Sequence, residues 1–201
     1  MADKSELFDF LVGKTREVLE SDADIDEKLK SICRLLKDHV SYYDWVGFYF
    51  VDKKRKNELV LGPFEGEPTE HTRIPFGRGI CGQAAALKET FLVQDVSKQT
   101  NYLSCSVNVK SEIVVPIFQK EEVVGEIDID SHVLSPFTKE DETFLKKIVQ
   151  MTSRILLPSF RVQWKHVATW YSEIDRSLHR SNFWNGTVLT LSIIWHDVFV
   201  T

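Results

Sequence analysis

The segment Val124-Gly-Glu-Ile-Asp-Ile-Asp130 carries acids at alternate positions, Glu126, Asp128 and Asp130, with isoleucines between them. A helix turns about 100° per residue and would scatter that pattern around its surface, whereas a strand sends alternate side chains to opposite faces. The segment is therefore a strand, with Ile127 and Ile129 on one face and Glu126, Asp128 and Asp130 on the other, neighbours about 6.5–7 Å apart. Two readings of the acidic face stay open. It is an outer face in water, or it receives a cation such as a ligand's ammonium group. The second would offset the repulsion within a row of like charges built from poor strand formers.

Glu112 to Phe118 is another strand, joined to the first by a charged turn at Lys120 and Glu121. Glu112 opens it and adds a fourth carboxylate. Trp45 to Val51 is aromatic and β-branched, which favours a strand with Trp45, Gly47 and Tyr49 on one face and Val46, Phe48 and Phe50 on the other. Charged residues from Lys53 to Asn57 turn the chain, and Leu59 to Leu61 returns as the other half of a hairpin. Gly62 to Gly82 is rich in Gly and Pro and is expected to be a long functional loop. A short helix over Gly82 to Lys88, a strand over Thr90 to Val96 and a polar loop over Lys98 to Asn108 follow.

Helices bracket these strands. Leu7, Phe10, Leu11 and Val18 are spaced for one helical face, and Leu29, Ile32, Cys33, Leu36 and Val40 for a second. Thr138-Lys-Glu-Asp141 resembles a capping box with Asp in place of Glu, opening a helix that Pro158 ends after Leu157. Helix, helix, strands with long loops, then helix is an α+β order, not a βαβ repeat.

The character of the chain changes near residue 158. Eight of nine glycines precede residue 126, and four of five tryptophans follow residue 163. The expected organisation is one domain over 1–157 and a C-terminal extension over 158–201. Trp164, Val167, Tyr171, Ile174 and Leu178 suit one amphipathic helix, and Thr187 to Val200 is strand-like. No functional role attaches to the extension.

The net charge of −5 over 201 residues argues against a nucleic-acid partner, which demands a dense cationic surface. No run of about 18 apolar residues offers a membrane span, and MADKSELFDF lacks a secretory apolar region. A cytoplasmic location is expected. The Asn185-Gly-Thr187 glycosylation acceptor is then incidental. Three cysteines, Cys33, Cys81 and Cys105, are too few and too odd in number for a disulfide framework.

Gly77-Arg-Gly-Ile-Cys-Gly82 fits G-x-G-x-x-G, with Asp95 near the place of a ribose-binding acid. A dinucleotide site is rejected, because Arg73 to Phe76 is too short for its first strand and no parallel crossover follows. The glycines instead let backbone wrap closely around a pocket. Cys33 lies in a helical core stripe. Cys81 sits at the start of a helix, where amides and the dipole favour a thiolate. Cys105 lies in the polar segment Leu103-Ser-Cys-Ser106, where a core role explains it less well. His71, Cys81 and Cys105 are donors to weigh for zinc, but no C-x-x-C or H-x-x-x-H pair supports a metal site.

Five segments occur in a recognisable order: Trp45-Val-Gly-Phe-Tyr49, Leu59-Val-Leu-Gly-Pro-Phe64, Arg73-Ile-Pro-Phe-Gly-Arg-Gly-Ile-Cys-Gly82, Ser111-Glu-Ile-Val-Val-Pro116 and Gly125-Glu-Ile-Asp-Ile-Asp-Ser131. Over about residues 5 to 157 the chain resembles the GAF-domain free methionine-(R)-sulfoxide reductases. The resemblance implies a central antiparallel sheet with helices on one side and pocket-forming loops on the other, often in a homodimer. It implies that Cys105 is the catalytic thiol and that Cys81 matches a second family cysteine. Glu112, Asp128 and Asp130 match acids that hold the substrate and assist proton transfer, and Trp45 and Tyr49 match aromatics enclosing its methyl group.

The implied reaction reduces free methionine sulfoxide with no metal or organic cofactor. Cys105 attacks the sulfoxide sulfur, Glu112 or Asp128 supplies the proton, and thioredoxin restores the thiols. In many members a third cysteine, ten residues before the one matching Cys81, resolves the oxidised catalytic thiol. Here His71 stands at that position. Recycling then falls to Cys81 or to an external thiol. The rival expectations are a non-catalytic small-molecule GAF sensor and a redox sensor switching through Cys81 and Cys105.

Overall fold

The computed structural model describes residues 4–55, 57–103 and 108–156. The proposed extension over 158–201, with its expected helix and strand, lies outside the described residues, as does Cys105.

The helices are α1 (Lys4–Glu20), α2 (Ile25–His39), α3 (Gly79–Leu87) and α4 (Lys139–Leu156). The strands are β1 (Trp45–Val51), β2 (Glu58–Glu65), β3 (Arg73–Pro75), β4 (Phe91–Val93), β5 (Ser111–Gln119) and β6 (Glu122–Ser131). Among the described residues they form one sheet in the order β3-β2-β1-β6-β5-β4, and every neighbouring pair is antiparallel. The α+β expectation holds. A parallel crossover, which a dinucleotide fold requires, has no place in this sheet.

The sheet divides two apolar layers. On one side Val46, Phe48, Ile113, Val115, Ile117, Ile127 and Ile129 pack with side chains of α1, α2 and α4. Cys33 belongs to this layer, as its stripe predicts, and its thiol lies 3.5 Å from the Pro63 carbonyl oxygen. Burial holds that thiol far above its ordinary pKa. On the other side Trp45, Tyr49, Val114 and Ile74 pack with Ile80, Cys81, Ala84 and Ala85 of α3.

Local chemistry sets the element ends. Asp24 caps α2 by accepting the Glu27 amide at 2.9 Å. Before α4, Asp141 Oδ2 accepts the Thr138 amide at 2.7 Å and its hydroxyl at 2.9 Å, the return half of the anticipated capping box. The same buried carboxylate takes Lys4 Nζ at 2.6 Å and Tyr42 Oη at 2.7 Å, tying α1 to α4.

Four expectations need correction. The buried face of α1 is Phe8, Leu11 and Thr15, not a face that includes Phe10, which is 48 % exposed. Phe8 stacks on Phe144 of α4 with ring centroids 4.2 Å apart, and this contact sets the roll of the helix. Strand β2 continues past Leu61 to Glu65, through Gly62 and Pro63. A register shift opposite Phe48 absorbs the proline's missing donor, and Gly62 leaves room for the Phe50 ring. Helix α3 begins at Gly79, not Gly82, after Gly77 and Gly79 take φ of +82° and +63°. Strand β4 is only three residues long, because Asp95 accepts the Ser97 amide and opens a 3-10 turn at Val96–Lys98.

Candidate active site

Three strands present a grid on the face covered by α3. The register places Glu112 beside Asp130 and Asp130 beside Trp45, Val114 beside Asp128 and Asp128 beside Gly47, and Pro116 beside Glu126 and Glu126 beside Tyr49. Directly paired residues of antiparallel strands share a face, so four acids and two aromatics meet there. Glu112, Glu126, Asp128 and Asp130 are each at most 2 % exposed. The reading of this row as a solvated outer face is thereby overturned. Periodicity reports which residues share a face, and only the chain's return as α3 decides what covers it.

Cys81, the third residue of α3, turns its thiol toward these acids. Its Sγ donates to Asp128 Oδ2 at 3.2 Å and approaches Glu112 Oε1 at 3.8 Å. Both oxygens of Glu126 and Oδ1 of Asp128 lack a hydrogen bond of ordinary geometry among the described residues. The Cys81 thiol stands close enough to Glu126 to ease its burial in part.

Among the described residues, no basic side chain figures in the electrostatic environment of Glu112, Glu126 or Asp128. Ligand atoms of Glu112 and Asp128 lie within 4.8 Å of each other. At an effective dielectric constant of about 20, two full charges that far apart repel by about 3–4 kcal/mol. The acids respond by holding protons. Burial first, then the charges of Asp128, Asp130 and Glu126, push Glu112 well above the usual carboxylate range. Burial and Asp128 do the same to Glu126. Burial raises Asp128 to about 7, opposed by the hydrogen bonds from Cys81 and the Ile129 amide.

The aromatic wall is held rigidly. Trp45 Nε1 donates to the Glu67 carbonyl at 3.0 Å, and its ring stacks on Phe64 with centroids 5.4 Å apart. Its far edge lies over Gly47, where no side chain would fit. Tyr49 Oη donates to the His71 carbonyl at 2.9 Å. Position 71 therefore serves the site through its backbone.

The start of α3 is pinned to the loop beyond β4. Asn101 Nδ2 donates to the Gly77 carbonyl at 2.7 Å, and Asn101 Oδ1 accepts the Gly79 amide at 3.4 Å. Gln83 Nε2 bridges the Gly79 carbonyl at 2.8 Å and the Asn101 carbonyl at 3.3 Å. Sequence reasoning missed both residues, since an Asn in a polar loop and a Gln on a helix carry no pattern of their own. It recognised Glu126 only as a member of the alternating run. Of the seven residues expected in the site, Trp45, Tyr49, Cys81, Glu112, Asp128 and Asp130 are brought together, and Cys105 lies outside the described residues.

A family model described as GAF domain matches residues 24–156. GAF domain-containing protein A of Dictyostelium discoideum is 37% identical over 148 residues, which are 74% of this chain and 91% of that one. Free methionine-R-sulfoxide reductase of Escherichia coli is 37% identical over 128 residues, 64% of this chain and 75% of that one. The solved structure of free methionine-R-sulfoxide reductase from Neisseria meningitidis in complex with its substrate superposes with a TM-score of 0.72 at 36% identity, covering 77% of this chain and 91% of that one. The chain belongs to the GAF-domain free methionine-R-sulfoxide reductase family. Within that family's fold, the acids and aromatics of this chain lie on the sheet face opposite the α1–α2–α4 layer. No described helix of this GAF domain is long and apolar enough to cross a membrane.

Proposed function

We propose that the protein reduces free methionine-(R)-sulfoxide to methionine. The observation that carries this reading is the buried grid of Glu112, Asp128 and Asp130 beside Trp45 and Tyr49, in a chain so similar to reductases of that name. Asp130 is the principal partner of the ammonium group of a free amino acid, beside the carboxyl groups of Glu112 and Asp128. Trp45 and Tyr49 supply an apolar wall for the S-methyl end.

Cys105 is assigned as the nucleophile by resemblance. Leu103 and Val109, which flank the undescribed residues 104–107, both pack in the α3 layer, and this supports the assignment. The Cys105 thiolate attacks the sulfoxide sulfur. A sulfur–sulfur bond forms, Glu112 or Asp128 protonates the sulfoxide oxygen, and the sulfur–oxygen bond breaks to release hydroxide. Hydroxide then attacks the Cys105 sulfur, the sulfur–sulfur bond breaks, methionine leaves and Cys105 becomes a sulfenic acid. Cys81 then condenses with it, releasing water and forming a disulfide that thioredoxin reduces by exchange. His71 at the position of the usual resolving thiol favours this route or an external thiol. We assign the chemistry to a domain over 1–157 with an extension over 158–201, working as a homodimer in the reducing cytoplasm.

The test is thioredoxin-coupled NADPH oxidation with free methionine-(R)-sulfoxide, beside Cys105→Ser. Steady turnover that disappears in the variant supports the proposal. One equivalent of methionine without further turnover places the defect in recycling. Neither activity transfers the reading to a ligand-binding sensor or a Cys81–Cys105 redox sensor.

A further inference from the structure

Cys81 contributes something that an ammonium site does not require. Carboxylates alone would bind an organic cation, whereas a thiol among them is a soft ligand for a metal ion. Cys81, Glu112 and Asp128 each offer one ligand atom, and the three atoms lie within 4.8 Å of one another. In a tetrahedral zinc site, bonds of about 2.3 Å to sulfur and 2.0–2.2 Å to oxygen set sulfur–oxygen edges near 3.5 Å. The observed Sγ separations of 3.2 Å to Asp128 and 3.8 Å to Glu112 straddle that value. The two carboxylates need to close by at most about 1.4 Å to reach the oxygen–oxygen edge of such a site. Buried oxygens, one of Asp128 and two of Glu126, support a metal ligand set independently of these spacings. Asp128 Oδ1 is fully buried without a hydrogen bond of ordinary geometry among the described residues, and so are both oxygens of Glu126 on the same face.

We infer that this cluster binds one thiophilic divalent cation of the zinc class, through Cys81 Sγ and carboxylate oxygens of Glu112 and Asp128, with Glu126 beside the fourth position. Of the donors weighed from the sequence, Cys81 takes part and Cys105 lies outside the described residues, while the partners of Cys81 come from β5 and β6. On binding, the cation sheds water, a metal–sulfur bond forms, and the thiol proton and any carboxyl protons pass to solvent. No electron moves. Two positive charges then sit among buried acids that no described basic residue offsets. The consequence rests on the proposed reductase reading. Metal and substrate ammonium compete for the same carboxylates, and coordinated Cys81 is withdrawn from thiol exchange, so the loaded protein is held inactive until the metal is removed.

The experiment is anaerobic titration of the reduced, full-length protein with Co²⁺, followed by Zn²⁺ displacement. The expected result is one equivalent of cobalt with a thiolate-to-cobalt charge-transfer band. Zn²⁺ removes the band, and Cys105→Ser and Cys33→Ala retain it. Cys81→Ser abolishes it, and Asp128→Asn, which preserves shape if the serine variant folds poorly, weakens binding at least tenfold. Absence of a thiolate band, or a band unchanged in Cys81→Ser, overturns the inference. Cobalt binding is read without substrate, so it separates this inference from the reductase proposal. A Cys81-dependent band in a protein that turns over no sulfoxide upholds the site and sinks the reductase reading. Turnover without the band sinks only the metal site.

Discussion

The Tyr49 hydroxyl reaches across from β1 to donate to the main-chain carbonyl of His71 at 2.9 Å. The aromatic wall and the loop between β2 and β3 are thus one unit, and His71 is held by a bond that does not involve its side chain. Tyr49→Phe keeps the ring and removes the bond. We expect a loss of about 1 kcal/mol in stability, faster amide exchange over residues 66–72, and a rise in KM larger than the fall in kcat. Equal exchange in both proteins contradicts the coupling.

Stability depends on pH in a defined direction. Asp128 titrates at about 7 in the fold, against about 3.9 in an unfolded chain. The folded state therefore binds the extra proton between those values. Stability from this group is full below about 4, falls by about 1.4 kcal/mol per pH unit across the window, and levels off above 7. Glu112 and Glu126 act in the same direction. The melting temperature at pH 8 should lie below that at pH 5.5. Asp128→Asn should flatten the profile and melt above the parent at pH 8. A parent profile rising from 5.5 to 8 would contradict the burial argument.

Protonation also bears on turnover. If Glu112 or Asp128 gives up the proton that leaves with oxygen, single-turnover rates fall as pH rises through the titration of the group responsible. If Asp128 is that donor, the limb falls near 7 and Asp128→Asn removes it; if Glu112 is, a falling limb survives in Asp128→Asn.

The three cysteines should differ in reactivity according to their surroundings. Cys33 is buried in the opposite layer and held as a thiol. In the native protein it should resist alkylation for as long as the fold persists, and Cys33→Ala should turn over sulfoxide like the parent. Mass spectrometry of partly alkylated protein checks the first expectation. Rapid labelling of Cys33 would show that the α1–α2–α4 layer opens easily.

Asn101→Ala removes the bonds to Gly77 and Gly79 that hold the loop against α3. The cost in stability should be about 1 kcal/mol per lost bond. The larger effect should fall on kcat/KM, since this loop leads directly into residues 104–107. An unchanged kcat/KM would separate the loop from the site.

The contrast between Phe8 and Phe10 tests the roll of α1. Phe8→Ala, losing the stack on Phe144, should cost about 3–5 kcal/mol. Phe10→Ala, at an exposed position, should cost within about 0.5 kcal/mol. Denaturant titration measures both.

Much of this architecture was legible before any coordinates. Trp45–Val51 has the expected bounds, and β5 and β6 differ by at most a residue or two, because period-two patterns bounded by charged turns leave little freedom. The stripe of α2 was equally clear. Phe10 misled because a helix face is fixed by what lies opposite, and Phe144 is remote in sequence. Gly79 and Pro63 misled because each breaks a rule about its residue type, and tertiary contacts compensate. The acid row was visible as a row. Its burial was not, since nothing within β6 says that α3 will return over it.

Besides its bonds to Asn101, the helix over that row has a close backbone contact with β3. A Cβ on Gly82 would occupy the space of the Pro75 carbonyl oxygen, so α3 cannot rise or slide without losing its place against β3. Side chains beneath α3 can be exchanged for others of similar size without touching that contact, whereas any side chain at position 82 would push α3 off β3 and unseat the roof of the site.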